Sequence, residues 1–258
     1  MERNTVRGRG RRSVEQPVTA FRRDAGFDRG GRNLLHSRGS MSPRQPAARP
    51  KRPAVFLDRD GVLTRVRVRG GLPYSALSLD EFRILPQAAR ALAALRAAGF
   101  LLLVVTNQPE VARGNLRRGV LRAMHARLRR ELPLHGIYVC LHDDADRCAC
   151  RKPKPGMLLA AARDWNVDLA RSFLVGDRWK DVAAGQAAGC RTVYVDGGYD
   201  EAVRPPPDAR AMNAFKPDIV AAPPPLARQV AGLSAGLRRD GVRTPVLVHR
   251  TPVPAPPR

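Results

Sequence analysis

Short apolar runs alternate with longer amphipathic segments, and this alternation is the feature that most constrains the fold. The run Ala54–Leu57 is continuously apolar, and a helical pattern over residues 86–98 begins with proline and is followed by Gly99. Such apolar runs are typical of strands buried on both faces, and proline and glycine flank helices in this order. Further strands are predicted at residues 100–105, 136–141, 172–175, 191–195 and 218–222, and further helices at residues 115–132, 155–165 and 179–188.

Strands that alternate with helices at these lengths predict an α/β fold, a three-layer doubly wound parallel sheet with helices on both faces. Sheets of this kind bind ligands at the carboxyl ends of their strands. Asp58, Thr106 and Asp177 stand where three predicted strands end. We therefore expect these side chains to meet at one edge of the sheet and to form a ligand site there.

Composition divides the chain into three parts. Residues 1–53 are rich in Arg, Gly and Ser and lack strand or helix periodicity, so we expect a basic, disordered extension. Residues 54–200 are predicted to form the folded domain, or residues 54 to about 232 if the last strand belongs to it. Residues 233–258 are predicted to form a Pro-rich tail.

The net charge of +23 has two interpretations, both of which stay open. Only five of the 46 basic residues are lysines, which indicates a compositional bias of the coding sequence. A basic arm that binds nucleic acid or an acidic surface is the alternative. No run approaches the ~18 apolar residues of a membrane span, and the N-terminus lacks the apolar core of a signal peptide. We expect a cytoplasmic monomer without membrane partners. Structural disulfides are rare in the cytoplasm.

Two carboxylates, Asp58 and Asp60, follow the first predicted strand. Converging carboxylates can bind Mg²⁺, and one of them can attack phosphorus while the other handles the leaving-group proton. Asp177 would complete a metal site, with Asp181 in support. A strand exit capped by polar residues, without any ligand, is the alternative.

Three of the four cysteines and a histidine lie within eleven residues, as Cys140-x-His142 and Cys148-x-Cys150. Four such ligands suit tetrahedral Zn²⁺. A disulfide conflicts with the expected compartment, and a loop without metal is the alternative. We expect a structural zinc site, which would fold the loop ahead of Lys152.

These motifs resemble those of the haloacid dehalogenase-like phosphatase superfamily. The resemblance implies that Asp58 is the nucleophile, that Asp60 is the general acid and then the base, and that Thr106 and Lys152 stabilise the transferring phosphoryl group. It also implies Mg²⁺ on Asp58, Asp177 and the backbone carbonyl of Asp60, and a fold without a large cap domain. The matching segments are FLDRDGVL (56–63), VVTNQ (104–108), RKPKPG (151–156) and VGDRWKD (175–181).

The cysteine–histidine loop followed by RKPKPG resembles one branch more closely, the D-glycero-D-manno-heptose 1,7-bisphosphate 7-phosphatases and their relatives, the histidinol-phosphate phosphatases. The longer motif TNQPEVARG (106–114) is similar to that of the heptose enzymes. The resemblance implies a small phosphorylated substrate, held by Arg59, Asn107, Gln108, Arg151 and Arg178.

The segment after Asp60 departs from the family pattern. Thr64 stands where these enzymes commonly have Asn, and the following RVRVRGGLPYS is unusually basic. Its arginines, Arg65, Arg67 and Arg69, suit the second phosphate of a sugar bisphosphate, although the general arginine bias explains them equally well.

We therefore expect a phosphatase acting on a heptose bisphosphate. Histidinol phosphate is the second candidate, and a nucleic-acid 3′-phosphatase is a third, which the aromatic content of 5% disfavours. A non-enzymatic binding protein that keeps the fold is the last.

Overall fold

The structure, a computed structural model, describes residues 50–198 and 217–221 in full and two short strands outside them. The strands are β1 (Thr19–Arg22), β2 (Ala54–Leu57), β3 (Arg67–Arg69), β4 (Leu72–Tyr74), β5 (Leu101–Asn107), β6 (Gly136–Cys140), β7 (Phe173–Gly176), β8 (Arg191–Val195), β9 (Ile219–Ala221) and β10 (Val246–Leu247). The α-helices are α1 (Ala88–Ala97), α2 (Arg118–Glu131), α3 (Gly156–Trp165) and α4 (Trp179–Ala187).

The main sheet has eight strands in the order β1-β6-β5-β2-β7-β8-β9-β10. All neighbours pair in parallel except β1, which pairs antiparallel with β6 at one edge. Strand β2 lies in the middle, where Leu57 pairs with Val104 of β5 and with Val175 of β7. The chain winds outward from β2 in both directions, so the carboxyl ends of β2, β5 and β7 form a topological switch point.

Helices cover both faces of this sheet, as the sequence predicts. Side chains of β2 alternate between two apolar clusters, one containing Val55 and Leu57 and the other Ala54 and Phe56, because successive residues of a strand point to opposite faces. Helices α1 and α2 pack into the first cluster through Leu92, Leu95, Met124 and Leu128, and helices α3 and α4 into the second through Met157, Leu158, Ala161 and Ala184. The predicted three-layer fold is confirmed.

The boundary of one helix differs from the prediction. Helix α2 begins at Arg118, three residues after the predicted start at Asn115. Residues before it are engaged in a turn instead: the side-chain amide of Asn115 donates to Glu110 at 2.6 Å, and the backbone N–H of Leu116 donates to the Glu110 carbonyl at 3.0 Å. Side-chain bonds of this kind compete with the first turn of a helix.

A hairpin formed by β3 and β4 lies within the segment between β2 and α1. Gly70 and Gly71 form its two-residue turn with φ of 56° and 78°, the left-handed values that such turns require. We did not predict these strands, although a Gly-Gly pair flanked by alternating residues is a hairpin signal. The described residues between β2 and α1 contain no other strand pair, in agreement with the absence of a large cap.

Strand β1 lies within the segment 1–53, which we predicted to be disordered, and its backbone extends the sheet beyond β6. Strand β10 likewise lies in the predicted Pro-rich tail. The other residues of both segments lie outside the described part, so the predicted domain boundaries stay predictions. None of the helices described here combines the length and the apolar content of a membrane span.

Candidate active site

The predicted site lies at the carboxyl ends of β2, β5 and β7. Asp58 follows β2 directly, and the ammonium group of Lys152 reaches it from the loop after β6, with Nζ 2.8 Å from Asp58 Oδ1. The same Nζ donates to the backbone carbonyl of Val105 at 2.9 Å and forms an ion pair with Asp181 at 2.5 Å. Lys152 is buried between two carboxylates, and although burial alone lowers its pKa, these charges raise it above the ordinary value. Lys152 is therefore positively charged within the site.

Three buried carboxylates converge beside this lysine. Oxygen atoms of Asp58, Asp177 and Asp181 all lie within 4.8 Å of one another. Burial raises the pKa of Asp58 to about 6 although Lys152 opposes the shift, and burial followed by the neighbouring carboxylates raises the pKa of Asp177. Both oxygens of Asp177 lack a hydrogen-bond partner among the described residues. Buried carboxylates without donors either take up a proton or bind a cation, and hard oxygen ligands of this kind fit Mg²⁺.

Gly61 makes the approach of Asp177 possible. A Cβ atom on Gly61 would lie 1.9 Å from Asp177 Oδ2, and its φ of 83° is in the left-handed region. Any side chain at this position would collide with the carboxylate and strain the backbone. The close approach of Asp177, from the segment VGDRWKD, therefore explains why the DRDG motif has glycine at position 61.

Four side chains hold Asp60 in place. Its carboxylate accepts hydrogen bonds from Arg59 Nη2 at 2.8 Å, Gln108 Nε2 at 2.9 Å, Thr64 Oγ1 at 3.0 Å and Ser75 Oγ at 3.0 Å. Burial raises the pKa of Asp60, but the Arg59 guanidinium and these hydrogen bonds outweigh it and lower the pKa overall. Thr64, the departure from the family pattern, thus still supplies a donor to Asp60.

Arg59, a predicted substrate contact, is buried beside Asp60 and does not reach the cavity in this structure. Its side chain is 0% exposed and is not part of the cavity wall. Besides Asp60, it donates to Gln108 Oε1 at 2.8 Å and lies 3.4 Å from His125 Nε2. Burial and the neighbouring Arg59 lower the pKa of His125 to about 3, so His125 is neutral and can accept from the guanidinium. Arg59 therefore positions Asp60, and its buried guanidinium is surrounded by Asp60, Gln108, His125 and the ring of Phe82.

The polar residues after β5 tie the site together. Gln108 Nε2 donates to Thr106 Oγ1 at 2.9 Å. Asn107 holds the backbone of Lys152 from both sides: its Nδ2 donates to the Lys152 carbonyl at 3.1 Å, and its Oδ1 accepts from the Lys152 N–H at 3.1 Å. These bonds hold the backbone of Lys152 in a fixed position relative to the end of β5. Roles of Thr106, Asn107 and Gln108 toward a substrate stay predictions.

The cysteine–histidine cluster forms as predicted at the end of β6. Sulfur atoms of Cys140, Cys148 and Cys150 lie 3.3–3.7 Å apart, and His142 Nδ1 lies 3.3 Å from Cys150 Sγ and 3.6 Å from Cys140 Sγ. Disulfide sulfurs are ~2.05 Å apart, whereas sulfurs around a tetrahedral Zn²⁺ with ~2.3 Å bonds are about 3.8 Å apart. The hydrogen bond between Cys150 and Cys140 lowers the pKa of Cys150 to about 5. The geometry fits a Cys₃His zinc site.

Ion pairs connect this loop to the neighbouring strand end. Arg113 donates to both oxygens of Asp143, at 2.7 and 2.8 Å, and also to Glu110 at 2.6 Å. Arg151 donates to Asp144 at 2.6 Å. Arg113 is a contact that we did not predict, although it lies within the TNQPEVARG motif.

A cavity of about 520 Å³ opens above the carboxylates, walled on one side by the β3–β4 hairpin. Arg178 Nη2 donates to the carbonyl of Pro73 at 3.1 Å and so fastens the hairpin to the site. The predicted residues on the cavity wall are Asp58, Asp60, Asn107, Gln108, Arg151, Lys152 and Arg178.

Comparisons with known proteins agree with this site. A family model described as HAD-hydrolase-like matches residues 149–223. The D-glycero-beta-D-manno-heptose-1,7-bisphosphate 7-phosphatase of Rhodopseudomonas palustris is 41% identical over 155 residues, 55% of this chain and 83% of that protein. The same-named protein of Pseudomonas aeruginosa is 40% identical over 152 residues, 57% of this chain and 83% of that protein.

Among solved structures, the D,D-heptose 1,7-bisphosphate phosphatase from B. bronchiseptica, complexed with magnesium and phosphate, has a TM-score of 0.53 and 30% identity, and the match covers 72% of this chain and 98% of that chain. Identity at this level over most of each relative, together with the carboxylate cluster and the cysteine–histidine loop, leads to one assignment. The chain belongs to the haloacid dehalogenase-like phosphatases, in the branch of the D-glycero-D-manno-heptose 1,7-bisphosphate 7-phosphatases.

Proposed function

We propose that this chain is a Mg²⁺-dependent phosphatase that removes the 7-phosphate of D-glycero-D-manno-heptose 1,7-bisphosphate through an aspartyl-phosphate on Asp58. The observation that carries the proposal is the pairing of Asp58 with Lys152 beneath an open cavity, beside the donor-free carboxylate of Asp177. The identity of the sugar is inferred from the names of the relatives.

In the first step, a carboxylate oxygen of Asp58 attacks phosphorus, and the bond to the sugar oxygen breaks. Lys152 lies against the oxygens on which negative charge accumulates, so it stabilises that charge more in the transition state than in the ground state. Bound Mg²⁺ would supply further positive charge to the phosphoryl oxygens. Asp58, Asp177 and the backbone carbonyl of Asp60 are the residues that would hold it.

Asp60 transfers the protons. It gives one to the departing sugar oxygen and then takes one from the water that attacks the aspartyl-phosphate, so that free Asp58 and inorganic phosphate result. The lowered pKa favours the carboxylate form, which the second step uses. A phosphate dianion beside Asp60 raises its proton affinity in the first step, because like charges disfavour the ionised form.

We further propose that the Cys₃His cluster binds Zn²⁺ structurally. All four ligand positions belong to the protein, so no position is left for a catalytic water. The loop that the metal would hold leads directly into Arg151 and Lys152, and residue 156 must be glycine because a Cβ there would lie 2.3 Å from the Ala149 carbonyl oxygen. Monomeric state and cytoplasmic location stay predictions.

The test is phosphate release by the purified protein with Mg²⁺, comparing kcat/KM for both heptose bisphosphate anomers, histidinol phosphate and a 3′-phosphorylated oligonucleotide. We expect about a hundredfold preference for a heptose bisphosphate, which is roughly 2.7 kcal/mol of transition-state binding. Arginines on the cavity wall disfavour the cationic histidinol phosphate. Equal activity on all substrates would refute the assignment of heptose bisphosphate as the substrate. Unchanged activity of Asp58→Asn would refute the mechanism.

A further inference from the structure

The β3–β4 hairpin carries two arginines on the wall of the cavity. Arg67 and Arg69 are two residues apart in β3, so their side chains leave the strand on the same face, and both line the cavity. Arg65, the third arginine of this segment, is exposed but does not line it. The structure thus separates two of the three arginines from the third.

Arg69 differs from the other cations of the cavity wall. Arg67 pairs with Glu81 at 3.0 Å, and Lys180 lies 3.7 Å from Asp144. Arg113, Arg151, Lys152 and Arg178 are engaged with protein oxygens as described above. The guanidinium of Arg69 has neither a hydrogen bond nor an ion pair to any residue in the described ranges. Its charge is available to a ligand.

The position of Arg69 suits a group at the far end of a sugar. Ser75 contacts the reaction centre through its 3.0 Å bond to Asp60. Arg69 pairs across the hairpin with Leu72, three residues before Ser75. At ~3.3 Å per residue, this places the Arg69 backbone roughly 10 Å farther out along the cavity wall. Leu72 and Tyr74 are partly exposed beside it and offer an apolar surface to the carbons of a sugar.

We propose that Arg69, assisted by Arg67, forms a distal subsite for the second phosphate of a sugar bisphosphate. The inference rests on the proposed function, in that the reacting phosphate is taken to lie at Asp58. An arginine pairs with phosphate through charge-assisted, often bidentate hydrogen bonds, so this subsite discriminates a bisphosphate from a monophosphate of the same sugar.

The experiment compares the wild type, Arg69→Ala and the matched control Arg65→Ala on heptose 1,7-bisphosphate and heptose 7-phosphate. We expect Arg69→Ala to lower kcat/KM for the bisphosphate about tenfold or more, mainly through KM. It should change kcat/KM for the monophosphate less than about twofold, and Arg65→Ala should leave both substrates unaffected. Equal losses on both substrates, or no loss on the bisphosphate, would overturn the subsite.

A binding measurement separates this inference from the proposed function. Calorimetric titration of the inactive Asp58→Asn protein with a hexose bisphosphate and with the matching monophosphate should show tighter binding of the bisphosphate. Adding Arg69→Ala should remove that preference. If the wild type does not cleave heptose bisphosphate, the proposed function fails while this titration still decides the subsite, and absence of any preference in the Asp58→Asn protein overturns it.

Discussion

Replacing Arg59 by methionine tests the electrostatic support of Asp60. Methionine keeps much of the buried volume but removes the guanidinium that lies 2.8 Å from both Asp60 Oδ2 and Gln108 Oε1. Removing one partner of a buried ion pair costs about 3–5 kcal/mol, because the remaining charge stays uncompensated. The Arg59 side chain is 0% exposed and that of Asp60 is 11% exposed, so solvent screens this pair little. We expect a loss of stability in this range at pH 7.

The loss should depend on pH in a defined direction. The folded pKa of Asp60 is lowered, so the pair stabilises the protein above the ordinary aspartate pKa near 4, and this contribution disappears as the pH falls through the folded value. Destabilisation by Arg59→Met should therefore be largest at neutral pH and shrink at about pH 3.

The pH dependence of this loss of stability can be measured by urea unfolding at pH 7 and at about pH 3. The proteins compared are the wild type, Arg59→Met and Arg96→Met. Arg96 is exposed on α1, so its replacement controls for loss of one positive charge, and any loss of metal in acid affects all three proteins. A penalty below about 1 kcal/mol at pH 7, or an equal penalty at both pH values, would refute the reasoning.

Three further predictions concern the other parts of the site. Asp177→Asn should weaken Mg²⁺ binding at least tenfold, as measured by calorimetry. It should also raise the melting temperature in EDTA, because one of three mutually repelling carboxylates becomes neutral. A lower melting temperature in EDTA would contradict the role of repulsion. Gly61→Ala should cost about 1–2 kcal/mol for its left-handed backbone plus the displacement of the Asp177 carboxylate. Gly189→Ala, at φ 79° with no atom within 4 Å of a Cβ, isolates the backbone part, so equal penalties in urea refute the contact. Cys148→Ser should lower zinc content and turnover together, as measured by metal analysis and phosphate release, whereas Cys190→Ser retains full zinc; full zinc in both variants contradicts the four-ligand site.

The carboxylate cluster is unfavourable for the stability of the metal-free fold. Burial and mutual repulsion raise the pKa of Asp58 and Asp177, so the folded state without metal carries charges that water would solvate better. Lys152 compensates part of this charge, and a divalent cation compensates more. We therefore expect bound Mg²⁺ to stabilise the fold as well as to assemble the site.

Sequence alone determined the layers of the fold and the members of both clusters. Short continuous apolar runs that alternate with helical segments are typical of strands buried on two faces, and in such a sheet the polar residues that follow Ala54–Leu57 and its neighbours meet at one edge. Spacing within 140–150 predicted the four ligands of the second cluster, since only a short turn is needed to bring ligands so close in the chain together.

Tertiary structure alone decided what each side chain contacts. Arg59 belongs to the DRDG motif, yet its guanidinium is buried against Asp60 and His125, residues one and 66 positions away. Asp181 pairs with Lys152 because the end of β7 faces the loop after β6, a proximity absent from the chain order. Of the three arginines at 65, 67 and 69, only the hairpin geometry selects which two face the cavity. Local patterns report periodicity and propensity, whereas partners distant in the chain are chosen by the packing of the whole domain.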